Sequence, residues 1–346
     1  MSLQQSVRSR RPGGGARART LESAPAERPL RVLLTGATGY LGGWVAEGFS
    51  ALGDHVTTFS GRQLAEPSAE TARALRAATA KVDVVCHLAA STPLQPGPPG
   101  GLAYGQGNVD ATRRLLDAVA ATSRCHVVFG SSALITGLSG AGTGSERAAY
   151  AESKLVAERL VEWYSAHAGS GVSLRFNTLG GPRIQPGRGV VDAALRAAHE
   201  CLPFPVYGSG SAGRDYLHVL DAARAVICAA RRPIARYQAV EIGSGRLATV
   251  EAVVATAERV TRRRVRRRYL PDRADVDERP ACDLRPARET LGWTPTRSQV
   301  ATIVSDQWAE QQAPGTFAAR LRWDLDASGL PRTSVLPHVD QRSAGG

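Results

Sequence analysis

The sequence predicts an α/β fold in which a doubly wound parallel sheet is followed by a smaller C-terminal α/β lobe. Three observations carry that expectation. Short apolar runs alternate with amphipathic stretches of helical period between residues 30 and 176, the first run ends in a glycine-rich turn, and after Phe176 the rhythm loosens into Gly- and Pro-rich connections between helices.

Taken in order, Leu30–Leu34 reads as a buried strand, the stretch to Leu52 as a helix, and Val56–Phe59 as a second strand. Val82–Leu88 forms the next strand, Asn108–Ala121 a helix, His126–Phe129 a strand, Ala149–Ala166 a helix and Val172–Phe176 a strand. Later helices are expected near Asp192–Glu200, Asp221–Ala230, Val250–Val260 and Val300–Gln311. Residues 30–176 with about 214–242 are assigned to the sheet domain, and 177–213 with about 243–315 to the lobe. Residues 1–29 hold almost no large apolar side chain and are expected to be a disordered basic arm, and 316–346 a loosely attached tail.

The 346-residue chain carries a formal charge of +12, and all but two of its 43 basic residues are arginine, the exceptions being Lys81 and Lys154. Two segments hold most of the excess: the first 29 residues, and the run Arg262-Arg263-Arg264-Val265-Arg266-Arg267-Arg268. Neither interleaves the aromatics of a single-strand groove, so the second run reads as a solvated strand and nucleic acid is not expected as a partner. Five scattered cysteines without a C-x-x-C pair imply free thiols, and the seven histidines do not cluster with them as metal ligands would. With no apolar run long enough to span a bilayer, the expectation is a cytoplasmic protein with no membrane partner.

Thr35-Gly36-Ala37-Thr38-Gly39-Tyr40-Leu41-Gly42 lies between the first strand and the first helix. In that context glycines permit a tight turn and the close approach of a pyrophosphate, whose charge is met by helix N-terminal N–H groups. The second strand ends at Ser60-Gly61-Arg62, with no carboxylate to repel a 2′-phosphate, so NADP(H) is favoured and NAD(H) is the alternative.

Tyr150 and Lys154 stand four residues apart at the start of a helix, hence on one face. A neighbouring ammonium favours phenolate, and the pair is expected to lower the tyrosine toward a useful acid/base. Ser132, closing a strand at the carboxyl edge, adds a hydroxyl that could polarise a carbonyl. His87 and Trp293 read as core residues.

On these motifs the chain resembles the extended short-chain dehydrogenase/reductases, which comprise nucleotide-sugar epimerases, dehydratases and ketoreductases on a Rossmann sheet. The resemblance covers about residues 30–312. It implies that Gly36, Thr38, Gly39, Tyr40, Leu41 and Gly42, with Ser60, Arg62, Leu88, Ala89, Ala90, Asn108, Tyr150 and Lys154, hold the cofactor. Ser132, Tyr150 and Lys154 match the family's catalytic triad. Ser91, Ser132, Asn177, Arg188, Tyr207, Arg214 and Arg273 are implied to bind a nucleotide-diphosphate sugar, with Arg214 and Arg273 clamping its diphosphate. A homodimer is also implied.

Dehydratases of this family carry an Asp-Glu pair directly after the catalytic hydroxyl, where this chain has Ala133 and Leu134. Epimerases usually carry an acid at the second strand, and this chain lacks it. Gly187-Arg188-Gly189-Val190-Val191 resembles the deoxysugar 4-ketoreductases of antibiotic biosynthesis. The leading expectation is therefore an NADPH-dependent ketoreductase acting on a dTDP-4-keto-6-deoxyhexose. An NAD-dependent UDP-hexose 4-epimerase stands as the alternative, and a non-catalytic dinucleotide sensor or nucleic-acid binder is disfavoured.

Overall fold

The structure is a computed structural model that describes residues 28–93, 101–140, 145–271, 280–326 and 330–336. Its first half runs β1 (Arg31–Thr35), α1 (Tyr40–Ala51), β2 (His55–Phe59), α2 (Gly61–Ala65), α3 (Ala69–Thr79) and β3 (Val84–His87). A short α4 (Gly101–Tyr104) passes through a π-helical turn at Gly105–Asp110 into α5 (Ala111–Ala120), followed by β4 (His126–Ser132), α6 (Glu146–His167) and β5 (Ser170–Phe176). Then come β6 (Thr178–Gly180), α7 (Gly189–Glu200), β7 (Phe204–Tyr207), β8 (Gly213–His218), α8 (Val219–Arg231), β9 (Gln238–Ile242) and β10 (Leu247–Thr249). The chain continues with α9 (Val250–Thr261), β11 (Arg267–Leu270), α10 (Arg285–Leu291), α11 (Val300–Gln312), α12 (Thr316–Arg320), β12 (Leu321–Leu325) and β13 (Pro331–Val335).

The main sheet has the order β2-β1-β3-β4-β5-β9 with every pair parallel, as the strand–helix alternation requires. Successive side chains of β1 divide between its faces. Val32 and Leu34 join Trp44 and Phe49 of α1 and the almost wholly buried α8, whereas Leu33 packs with Val85, Leu115 and Val161 beneath α5 and α6. From β1 the chain steps to β2 on one side and to β3 on the other, which makes the β1/β3 boundary the topological switch point where open α/β sheets bind ligands. The doubly wound order places three strands on the β1 side of that point, but here β2 is the edge and the chain returns through α2 and α3 directly to β3.

The lobe is built on two small sheets, β10-β8-β6 and β11-β7, packed through Leu195, Phe204, Val253 and Ile303 against α7, α9 and α11. Asp221, fully buried at the start of α8, ties the lobe's last turn to the sheet domain. Its carboxylate accepts from the backbone N–H groups of Thr296 (3.0 Å) and Arg297 (2.7 Å) and from Ser298 Oγ (2.6 Å), while Trp293 Nε1 donates to its carbonyl at 2.9 Å. Trp293 is thus the packed anchor expected from the sequence.

Two sequence expectations need correction. Residues 316–326 and 330–336 are not a loosely attached tail: Phe317 packs edge-on against Trp44 at 6.0 Å, and Trp323 on β12 lies so close to α1 that a Cβ at Gly48 would come within 3.0 Å of its indole. The apolar surface that α1 and α8 leave open on their outer side is what the β12–β13 hairpin covers. The arginine run is not uniformly solvated either, since Arg267 bonds both Glu251 (3.1 Å) and Glu258 (2.9 Å), and Arg263 donates to the carbonyl of His199. Burial of Val265 between them fixes which arginines face these acids.

Candidate active site

The glycine loop sits at the switch point and fits a dinucleotide. Gly36 adopts φ +77°, and a Cβ there would lie 2.6 Å from the backbone of Ala89, so only glycine lets the turn rest on the end of β3. At Gly42 a Cβ would fall 2.0 Å from Gly36 O, so α1 and the turn are in backbone contact. Gly39 caps the twelve-residue α1 without any side-chain cap bond, which leaves the N–H groups of the first turn for an anion. Thr38, Tyr40 and Leu41 lie on this turn, and Leu88, Ala89 and Ala90 form the facing wall after β3. Ser60 and Arg62 are exposed just past β2, with Gly61 close against Ala89.

His87 is a core histidine held in one hydrogen-bonded chain. Thr112 Oγ1 donates to the Asn108 carbonyl, which leaves it to accept from His87 Nε2 at 2.9 Å and makes His87 Nδ1 the acceptor of Thr35 Oγ1 at 2.7 Å. Burial, with the Lys154 charge nearby, lowers its pKa to about 3, so it stays neutral.

Asn108 and Ser91 are tied to each other behind the end of β3. Asn108 is 2% exposed, and its carboxamide is spent on the backbone of Ser91 (2.8 and 3.1 Å) and on Ser153 Oγ (2.9 Å). It therefore clamps the segment after β3 to α6. Ser91 Oγ rests against Gly107 of the π turn, where a Cβ would approach it to 2.3 Å.

Ser132 ends β4, and Tyr150 and Lys154 project from the facing side of α6; all three are buried. Ser132 stands near enough to Tyr150 to bear on its ionisation, and its Oγ accepts from the N–H of Leu134 at 3.2 Å. Lys154 Nζ donates to the carbonyl of Gly130 at 2.6 Å and lies 4.6 Å from the centre of the Phe129 ring. The sequence expectation for Tyr150 needs correction in the chain by itself, because burial pushes its pKa up to about 12 and outweighs the opposing influence of Ser132. Burial also brings Lys154 down to about 7, opposed by the charge of Glu158.

Sequence reasoning missed Tyr104, whose ring meets Tyr150 edge-on at 5.7 Å while its hydroxyl donates to Glu146 at 2.9 Å. It lies on a four-residue helix whose composition gives no signal. In the lobe, Asn177 Nδ2 donates to Glu241 (2.7 Å) and weakly to the carbonyl of Ile242 (3.4 Å), so its amide is already engaged across the end of β9. Arg188 caps α7 next to a loop that Asp192 secures by accepting from the N–H of Gly187 at 2.7 Å. Arg214 lies half-buried in β8, Tyr207 is 40% exposed on β7, and Arg273 lies outside the described residues. Among the described residues no three His, Cys, Asp or Glu side chains are grouped to hold a metal ion, and no helix is long and apolar enough to cross a membrane.

The model of the NAD dependent epimerase/dehydratase family matches residues 32–243, which span the glycine loop, the triad and both halves of the sheet. The chain belongs to this family. It is an extended short-chain dehydrogenase/reductase of NAD(P)-dependent type. The UDP-glucose 4-epimerase of Corynebacterium glutamicum is 27% identical over 83% of this chain and 97% of its own length. The enzyme of the same name from Streptomyces lividans is 28% identical over 80% and 95%. Among solved structures, MoeE5 in complex with UDP-glucose and NAD superposes with a TM-score of 0.69 at 26% identity, over 82% of this chain and 99% of MoeE5.

Proposed function

We propose that the chain carries out oxidoreduction at carbon 4 of a nucleotide-diphosphate hexose, and that a UDP-hexose 4-epimerase is the first reading. The observation that carries it is the meeting of Ser132, Tyr150 and Lys154 beside an uncapped glycine cradle, in a chain that matches proteins named UDP-glucose 4-epimerase over nearly their whole length. This reading displaces the ketoreductase as the leading one.

A bound nicotinamide dinucleotide supplies a hydride acceptor that can later return the hydride. The chain's own residues manage the proton. Tyr150 takes the proton of the sugar hydroxyl as the alcohol becomes a ketone and gives it back on reduction. Ser132 offers a hydrogen bond to the same oxygen, and the Lys154 ammonium favours the phenolate form of Tyr150. With Tyr150 9% exposed and Lys154 2% exposed, water has little access to the proton-transfer pair. Glycine-cradle N–H groups meet the pyrophosphate, while Arg188, Tyr207, Arg214 and Arg273 are assigned to the sugar nucleotide.

A second reading, NADPH-dependent 4-ketoreduction of a dTDP-4-keto-6-deoxyhexose, is favoured by one feature. Exposed Ser60 and Arg62 follow edge strand β2, where the sequence Ser60-Gly61-Arg62 has no acid, which suits a 2′-phosphate. The test offers the purified protein UDP-glucose with catalytic NAD, and separately the 4-keto sugar with NADPH or NADH. Formation of UDP-galactose supports the first reading. Stoichiometric oxidation of NADPH without epimerisation overturns it in favour of the second, and no reaction in either assay overturns both.

A further inference from the structure

Lys154 is an ammonium enclosed by α6 and the end of β4, a place that by itself drives the group toward neutrality. One helical turn further along the same face of α6 stands Glu158, only 2% exposed. Both of its oxygens are held by the guanidinium of Arg175 on β5, Nε to Oε1 at 2.9 Å and Nη2 to Oε2 at 2.6 Å. A fork of this kind fixes where the carboxylate points as well as its charge. As packing alone, a buried ion pair is an expensive way to fill space, since apolar side chains of similar volume do as well.

We propose that Glu158 is a positioning residue for the reaction: its buried carboxylate, one turn along α6, keeps the Lys154 ammonium charged for its work beside Tyr150. The proposal rests on the reading of Lys154 given under Proposed function. The ionisable groups that bear on Glu158 are Lys154 and Arg159 on its own helix, Arg175 on β5, and Tyr237 ahead of β9. Those that bear on Lys154 are Glu158 and Tyr150, one turn to either side on α6, and, from β3, the neutral His87. Of these groups, Glu158 is the carboxylate, and its charge favours the ammonium. Arg175 partly offsets that charge, so removing either partner should move Lys154 in opposite directions.

The chain's composition gives a direct readout, because Lys81 and Lys154 are its only lysines. With ε-carbon-13 lysine, an NMR titration of the full chain shows two resonances, and exposed Lys81 serves as the internal reference. Glu158→Gln should lower the Lys154 midpoint by about one pH unit, a roughly tenfold smaller ammonium fraction above it. Arg175→Gln should raise it, and Lys81 should not move in either variant. The alkaline limb of the kcat profile, measured with the substrate that the parent turns over, should move in step. Rotation of a merely structural pair would cut stability without a paired, opposite displacement. Should Glu158→Gln not fold, Arg175→Gln alone decides, and an unmoved Lys154 overturns the proposal. Moved midpoints with an unmoved kcat profile overturn it as well. A parent without turnover on either sugar, but with midpoints displaced as stated, counts against the proposed function and not against the Glu158–Lys154 coupling.

Discussion

Gly42 and Gly43 are adjacent on the first turn of α1, yet the structure predicts opposite outcomes for replacing each with alanine. A methyl at Gly42 would sit 2.0 Å from Gly36 O and 2.7 Å from Gly36 C, both backbone atoms that cannot swing aside. The glycine turn itself would have to shift. Overpacking of this kind costs about 1–3 kcal/mol. Because the displaced atoms are those of the cofactor cradle, affinity for NAD(H) or NADPH should fall by about tenfold or more, in line with roughly 1.4 kcal/mol per decade. At Gly43 the nearest atom to a new methyl is Ala37 O at 3.6 Å, an ordinary contact. There the helix should gain about 0.5–1 kcal/mol from the lost freedom of glycine, with affinity unchanged. Chemical denaturation gives the stabilities, and quenching of intrinsic fluorescence on cofactor titration gives the affinities. Equal effects of the two substitutions, or Gly42→Ala with parental affinity, would refute the backbone-contact account of the loop.

Further expectations follow from the same geometry. Tyr150→Phe should abolish turnover while cofactor affinity stays within about twofold, because the phenol's proton and not its ring does the work; equilibrium dialysis and product assays check both. Trp323→Ala should lower stability by about 3 kcal/mol, the cost of opening a hole between β12 and α1, and a substitution without effect on a urea melt would restore the loose-tail expectation. Arg62→Ala should weaken NADPH far more than NADH if the ketoreductase reading holds; equal losses would remove Arg62 from the cofactor site. Lys154→Met carries a pH dependence of definite sign. The folded pKa, lowered to about 7 from 10.5, means that the cost of burying the ammonium is fully present below pH 7 and fades as pH rises toward 10.5. The stabilisation gained on removing the charge should therefore be greatest near pH 6 and shrink by pH 9 in paired denaturant melts.

What was legible in the sequence was what acts over short spans of chain. The glycine turn, the Tyr150/Lys154 spacing and the strand–helix rhythm are local patterns, and each recurs in the structure at its expected place. The C-terminal hairpin was not legible for a physical reason: Leu321 and Trp323 alternate over only five residues, and what orders them is the uncovered outer side of α1 and α8, some 270 residues earlier in the case of Gly48. Asn108 shows a subtler limit. The motif marks its position, but its carboxamide is buried and both of its amide hydrogens are engaged by Ser91 and Ser153, a packing role that spacing alone does not reveal. Tyr150 shows the same limit in electrostatics. Spacing places a cation within reach of the phenol, whereas the direction of the shift depends on how much water the fold removes from both, a property of β4 and α6 together. On the function proposed above, an ammonium that burial brings down to about 7 is only partly charged near neutral pH, which is why the groups that bear on Lys154 matter to that reading.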